Sequence, residues 1–498
     1  MKKEDKSSYR SIIKATSVFG GVQFINILIS VVKSKLIAII LGPTGMGISS
    51  LFTSTIGLVG SLTNFGLATS GVKNVAVAAS KNDGEKVEIT AGVLKKLVWL
   101  TGLLGTIVTL ILSHWLSKIV FGNSDWTISF IILSISLLFA QLSAGELVIL
   151  QGFRRVKELA KANIIGSVAG LIISISLYYF FGVNGIVPSI VILSINTFLI
   201  AAYFSKKISL NKVNISNELL VKEGAEMLKM GFLINLGAFI TLGSSYILQI
   251  FINKKSGTAE VGLYNAGFAI INTYVGMIFT AMSTDYYPRL SVVAFDKEKA
   301  NKTINQQAEI ALLVLTPVLV VFITFINWII IVMYSHDFMR IQNMLHWATL
   351  GIIFKAASWS IAFIILAKGD SRIFFANELM ANLIILTINI GGYLFWGLNG
   401  LGISFLIGYF IYFIQVMILA KHRYQFVVEA ELIKIFFTVL TLTTLSFLTA
   451  EYASFPFNYI GGVVIFLLSA YYSYKKLSSK LDLSGFKNRL MGKINKQK

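Results

Sequence analysis

Residues 31–47 read VVKSKLIAIILGPTGMG, and they sit inside the first hydrophobic run of the chain. Lys33 and Lys35 stand where a membrane helix usually carries leucine, and Gly42, Pro43, Gly45 and Gly47 form a turn that sends the chain back on itself. A charge inside a span costs roughly 2.5–3.5 kcal/mol on insertion scales. Two in one helix therefore need a reason, and an anionic, lipid-linked substrate supplies one. Side chains two residues apart on a helix point about 200° apart. One lysine is thus expected to face a polar cavity, and the other to pair or to snorkel toward the outer surface. The turn glycines read as a hinge between the first two spans.

The rest of the chain agrees with a membrane reading. It has 498 residues, 55% of them hydrophobic and 13% charged, with a mean hydropathy of +0.76. A soluble domain carries about 25% charged residues. The absence of cysteine excludes disulfides, thiolate metal sites and cysteine nucleophiles. The first apolar run follows a polar MKKEDKSSYRS and is too long for a signal peptide, so none is expected. Apolar runs long enough to cross a bilayer occur at about 14–41, 46–72, 94–113, 126–150, 162–181, 184–204, 229–251, 261–287, 307–331, 343–367, 373–396, 399–420, 432–450 and 457–474. They predict fourteen spans, all helical, because lipid satisfies no open backbone and no alternating barrel pattern is present. With the N-terminus cytoplasmic, inside segments hold 36 Lys and Arg and outside loops hold 4. Both termini are therefore expected in the cytoplasm. The same asymmetry explains the net charge of +20 without nucleic acid.

The loops are too short for a catalytic domain, so function must lie in the bundle. Phe-Phe-Gly-Val-Asn-Gly at 180–185 and Phe-Trp-Gly-Leu-Asn-Gly at 395–400 stand 215 residues apart, as do Gly47 and Gly262. Lys161-Ala-Asn and Phe375-Ala-Asn align at 214. One offset at distant turns predicts two parallel six-helix halves. Residues 1–210 form the N-lobe and 229–424 the C-lobe. An amphipathic cytoplasmic linker at 211–228 joins them, spans 13–14 at 425–475 follow, and a basic cytoplasmic tail takes 476–498. Transporters with parallel repeats bind substrate between the halves.

Polar residues inside spans mark candidate sites. Lys355 has 12 residues of its span on either side. That is roughly 18 Å, too far to snorkel, so its ammonium needs a polar cavity or an acid. Asn265 and Asn272 add neutral polarity to the same candidate diphosphate and sugar cavity as Lys33, Lys35 and Lys355. Glu146, Asp285 and Glu378 are the acids assigned to spans, and are candidates for ion coupling or for pairing with lysine. Arg154, Arg155, Arg289 and Arg372 lie at the cytoplasmic edge, where guanidiniums could receive an entering pyrophosphate. The histidines have no ligand spacing, no Walker A loop is present, and no metal or cofactor site is indicated.

Three motifs together resemble the polysaccharide flippases: Lys35 followed by Gly42-Pro43-x-Gly45-x-Gly47, Val-Gly-Leu-Tyr-Asn-Ala-Gly at 261–267, and Asp-Tyr-Tyr-Pro-Arg-Leu-Ser at 285–291. More narrowly, the chain resembles the O-antigen translocases of the multidrug/oligosaccharidyl-lipid/polysaccharide (MOP) superfamily. The resemblance implies an all-α integral membrane protein, two six-helix lobes around a central cavity, and a substrate of undecaprenyl diphosphate carrying a sugar repeat unit. It implies a bacterial inner-membrane location, other polysaccharide-assembly membrane proteins as partners, and no cofactor. O-antigen flippases have twelve spans and lipid II flippases fourteen, and this chain has two spans beyond the repeat. A lipid II flippase and a cation-coupled drug exporter of the multidrug and toxin extrusion (MATE) type stay open as alternatives. An enzyme of the same pathway would need a larger outside loop.

Overall fold

The computed structural model describes residues 3–80, 84–208, 210, 213 and 215–480, with side chains from Ile25 onward except at 233, 274, 284 and 480. Part of the 211–228 linker and most of the 476–498 tail lie outside the described residues. Among the described residues there is no strand, and helices cover all fourteen expected spans. Helices α1 (3–41) and α2 (43–63) meet at a kink, and α3 (Leu67–Ser80) completes the second span. Then come α4 (Gly84–Phe121), α5 (Thr127–Gly152), α6 (Val156–Phe181), α7 (Ile186–Ser205) and α8 (Asn217–Ser256). Helix α9 (Thr258–Val293) contains a π turn at Ile271–Val275. It is followed by α10 (Lys297–Thr324), the short α11 (Ile326–Met333) and α12 (Gln342–Ala367). Helices α13 (371–396) and α14 (398–424) meet at Gly397, and α15 (Ala430–Tyr452) and α16 (Phe457–Lys480) close the chain.

The repeat is written in the backbone. Gly182 (φ 57°, ψ −132°) and Gly397 (φ 57°, ψ −136°) take the same conformation 215 residues apart. Gly42 and Gly257, again 215 apart, have φ of 63° and 88°. All lie in the left-handed region that glycine enters without strain. Close approaches repeat as well. A Cβ on Gly185 would stand 2.3 Å from the Leu177 carbonyl, and one on Gly400 1.8 Å from that of Gly392. A Cβ on Gly47 would stand 1.8 Å from the Thr258 carbonyl, and one on Gly262 1.9 Å from that of Pro43. The 215-residue offset exchanges these last two contacts, as an internal two-fold requires.

Two departures from the hydropathy have local causes. The second span is broken between α2 and α3, where Phe65 and Gly66 have φ of 48° and 63°. The Asn64 side chain accepts the Gly66 N–H at 2.8 Å, and this local bond competes with the helix ladder. The ninth span begins ten residues early, at Lys297 rather than 307, because Asp296 caps it by accepting the Lys299 N–H at 3.1 Å. The Lys299 ammonium, hydrogen-bonded to this carboxyl, holds its pKa below the usual carboxylate value.

The described residues form two compact units, 1–263 with 332–337 and 264–331 with 338–498. Helix α8, which the repeat assigns to the second half, packs on α1–α2, α3 and α4. Gly231 of α8 meets Phe65 so closely that a Cβ would stand 2.2 Å from its carbonyl. Asn235 donates to the Ser61 carbonyl at 2.9 Å, and Ser54 donates to Gln249 at 2.9 Å. Residues 217–228 of the expected linker are the first turns of α8. Their Leu219, Leu220, Met227 and Leu228 pack on a buried cluster containing Leu94 and Leu97, so protein covers the apolar face.

Candidate functional site

The two lysines of α1 serve different surroundings within the first unit. Lys35 Nζ donates to the carbonyl of Tyr334, in the 332–337 segment. Lys33 lines a crevice of about 310 Å³ among α1, α5, α6 and α7. Next to it Ser167 donates to Asn26 at 3.0 Å. The opposed directions follow from helical geometry, since the lysines are two residues apart.

In the second unit, α12 carries Lys355 into a collar of aromatic rings. Its Nζ lies 5.1 Å from the Tyr409 ring centre, 5.8 Å from Phe405 and 6.0 Å from Phe279. Among the described residues Lys355 joins no ion pair. A ring face attracts a cation within about 6 Å, by about 2 kcal/mol when desolvated. The collar thus holds the ammonium without cancelling its charge. Tyr409 continues to Tyr412, 6.3 Å away, whose hydroxyl donates to Glu378 at 3.0 Å. Gln415 donates to Asn377 at 2.9 Å beside them. Lys355 and Glu378 are therefore linked through tyrosines rather than paired.

The remaining candidates scatter. Asn265 is half-buried on α9 and Asn272 is exposed on the π turn. Glu146 is bound within the first unit, 3.3 Å from Lys95 and accepting from Ser205. Asp285 is 80% exposed and lies 3.8 Å from Arg289, which donates to Gln307 at 2.9 Å. Arg155 and Arg372 are exposed at the starts of α6 and α13. Arg154 sits in a left-handed conformation, φ 54°, after α5. It shares a cavity of about 540 Å³ with Glu88. Of the turn residues, Gly42 takes the kink, and Pro43 and Gly47 make the backbone contact with the start of α9. A Cβ on Gly45 would stand 2.6 Å from that of Leu41.

Several residues escaped the sequence. Glu309 is buried on α10 at 2% exposure, an intramembrane acid beyond the three assigned. His346 on α12, 1% exposed, meets Glu451 of α15 at 3.2 Å and ties the first extra helix to its unit. The rings around Lys355 also went unseen. A hydrophobic run gives no sign of which aromatic faces a charge, and His346 and Glu451 are 105 positions apart. Among the described residues no three His, Asp or Glu cluster as a metal site.

The comparisons fit this architecture. The family described as "Polysaccharide biosynthesis protein" matches residues 36–343. The lipid III flippases of Escherichia coli (strain K12) and Shigella flexneri are each 21% identical over 379 residues, 74% of this chain and 88% of theirs. Among solved structures, the lipid II flippase MurJ in an inward closed conformation matches with a TM-score of 0.69 and 17% identity, over 93% of this chain and 99% of that one. An inward-facing multidrug resistance MATE family transporter of the MOP superfamily matches with a TM-score of 0.63 and 17% identity, over 83% and 96%. These relatives and neighbours are flippases and transporters, not enzymes. Helical throughout its described spans, and matched over well over half its length, the chain belongs to the polysaccharide biosynthesis protein family, with a fold of the MOP superfamily.

Proposed function

We propose that this protein flips an undecaprenyl-diphosphate-linked oligosaccharide, the repeat unit of an O-antigen or related surface polysaccharide. It moves the unit from the cytoplasmic to the outer leaflet of a bacterial inner membrane by alternating access. The observation that carries this reading is Lys355: an ammonium at mid-span, ringed by Phe279, Phe405 and Tyr409 and in no ion pair among the described residues. A diphosphate leaving water needs a counter-charge already desolvated and oriented. A cationic drug would meet repulsion there, which disfavours the drug-exporter alternative. Asn265 and Asn272 serve the same headgroup as neutral hydrogen-bonding groups, and Lys35 helps at the outer end of α1. Arg154, Arg155, Arg289 and Arg372 receive the pyrophosphate on the cytoplasmic side, where both termini lie. Glu378, reached through Tyr412, Glu146, paired with Lys95, and Asp285, paired with Arg289, are the groups through which an ion could couple to the cycle. The kink at Gly42 and the π turn at Ile271–Val275 are where α1–α2 and α9 can flex.

A lipid II flippase is the second reading. It is favoured by α15, which adds Phe436 and Phe437 to an apolar cavity of about 260 Å³ against α12 and α14, suited to a polyprenyl chain. Proteoliposomes test both. The protein should move undecaprenyl-diphosphate oligosaccharide and export no cationic dye. Dye export without lipid movement would reject the flippase, and movement of lipid II alone would select the second reading.

A further inference from the structure

The Lys33 crevice has a chemistry of its own. Its polar wall is Asn26, Ser30 and Lys33 from α1, Asn163 and Ser167 from α6, and Thr197 from α7. Among the described residues no carboxylate lines it. An ammonium inside a span among neutral groups is left without a counter-charge. The Asn26 and Asn163 amides can donate hydrogen bonds, whereas the Ser167 and Thr197 hydroxyls already donate to Asn26 and to the Leu193 carbonyl. The volume is about 310 Å³, and a water's share of liquid is about 30 Å³. A hydrated oxyanion therefore fits.

The internal repeat supplies an independent observation. The glycine turns fix the offset at 215 residues, and uninterrupted helices carry it along α6 and α7 onto α13 and α14. The helix starts Val156 and Ser371 are also 215 apart, so Asn163 falls at Glu378, one position beyond the Asn377 of the Lys161-Ala-Asn match, Ser167 at Asn382 and Thr197 at Tyr412. In the second half, Tyr412 and Glu378 are hydrogen-bonded at 3.0 Å between α14 and α13. Both halves thus set polar side chains at the same register of the same helix pair. The second half places an acid there, whereas the first replaces that acid by an amide and adds an ammonium from α1. The charge of the position is reversed between the halves.

From this we infer that the Lys33 crevice is an oxyanion site, sized for a phosphate or carboxylate and separate from the Lys355 collar. Lys33 supplies the charge, and the Asn26 and Asn163 amides supply neutral donors. The oxyanion is either free in solution or part of the lipid-linked substrate, and only in the second case does the inference rest on the flippase reading. Small residues on α6 keep the crevice open: a Cβ on Gly166 would meet nothing within 4 Å.

The test is a thermal-shift titration of the full chain in detergent, with sodium phosphate, sodium glucuronate and undecaprenyl diphosphate as probes. Five proteins are compared: wild type, Lys33→Gln, Lys33→Arg, Gly166→Leu and Lys421→Gln. Lys33→Gln and Gly166→Leu should each raise the half-saturating concentration about tenfold or more, the worth of a charge-assisted hydrogen bond. Lys33→Arg should restore binding, and Lys421→Gln, at an exposed position outside the crevice, should leave the phosphate titration unchanged. Lys33-dependent stabilisation by phosphate or glucuronate identifies a free anion. The same dependence with undecaprenyl diphosphate alone identifies the substrate's own. Titrations that ignore both Lys33→Gln and Gly166→Leu overturn the site. Failure of wild type to flip lipid would overturn the transport reading and leave the phosphate result standing.

Discussion

At the scale of single residues, the protein puts bare ammonium groups where lipid would forbid them and supports them without acids. Lys355 rests on ring faces, 5.1–6.0 Å from three centres. Lys355→Ala should abolish flipping in proteoliposomes, whereas Lys355→Arg should keep part of it, because a guanidinium retains the charge and stacks on rings. Tyr409→Leu should slow flipping by about tenfold or less, the share of one cation–π contact. Full activity in Lys355→Ala would remove this residue from the site. The position of Lys355 was legible, since counting residues in its span places it at mid-membrane. Its collar was not, because Phe279, Phe405 and Tyr409 come from two other helices and a run of apolar letters hides their directions. The bond from Lys35 to Tyr334 ends on a main-chain carbonyl, which leaves no side-chain signature. Glu309 was hidden by a boundary. With the span starting at 307 it reads as a border residue, but α10 starts at Lys297 and carries Glu309 about three turns inside.

At the scale of elements, helix pairs meet backbone to backbone wherever the repeat places glycine. Gly47→Ala and Gly262→Ala should each cost about 1–3 kcal/mol, because a Cβ 1.8–1.9 Å from a carbonyl forces α2 and α9 apart. Gly57→Ala is the control: its Cβ would meet nothing within 4 Å, and alanine suits a helix interior better by about 1 kcal/mol. Thermal unfolding in detergent should show melting points well below wild type for the first two and no loss for the third. Equal melting points would show that the contact is not tight. Turn glycines and their common offset were readable because a reversal demands glycine whatever surrounds it. The Asn64–Gly66 break was not, since one Asx turn inside a long apolar run leaves the hydropathy unchanged.

At the scale of the whole molecule, charge asymmetry sets the expected topology. The chain has no cysteine, so single cysteines report position cleanly. In intact cells a membrane-impermeant maleimide should label Lys254→Cys and spare Lys421→Cys, both exposed positions. The opposite pattern would invert the orientation. The all-helical class, the span count and the repeat came from composition and spacing, which average over many residues. The packing of α8 with the first unit did not, because it depends on particular contacts such as Gly231 on Phe65 and Asn235 on Ser61. If this fold moves an anionic, lipid-linked saccharide as proposed, the saccharide must change leaflet. Undecaprenyl-diphosphate oligosaccharide is sealed into liposomes with the protein and treated with impermeant periodate. With wild type, oxidation should run to completion as the inner pool is carried outward. With Lys355→Ala it should stop once the outer leaflet is consumed, as in protein-free liposomes. A wild-type curve that stops at that same plateau would rule out translocation of this lipid by the protein.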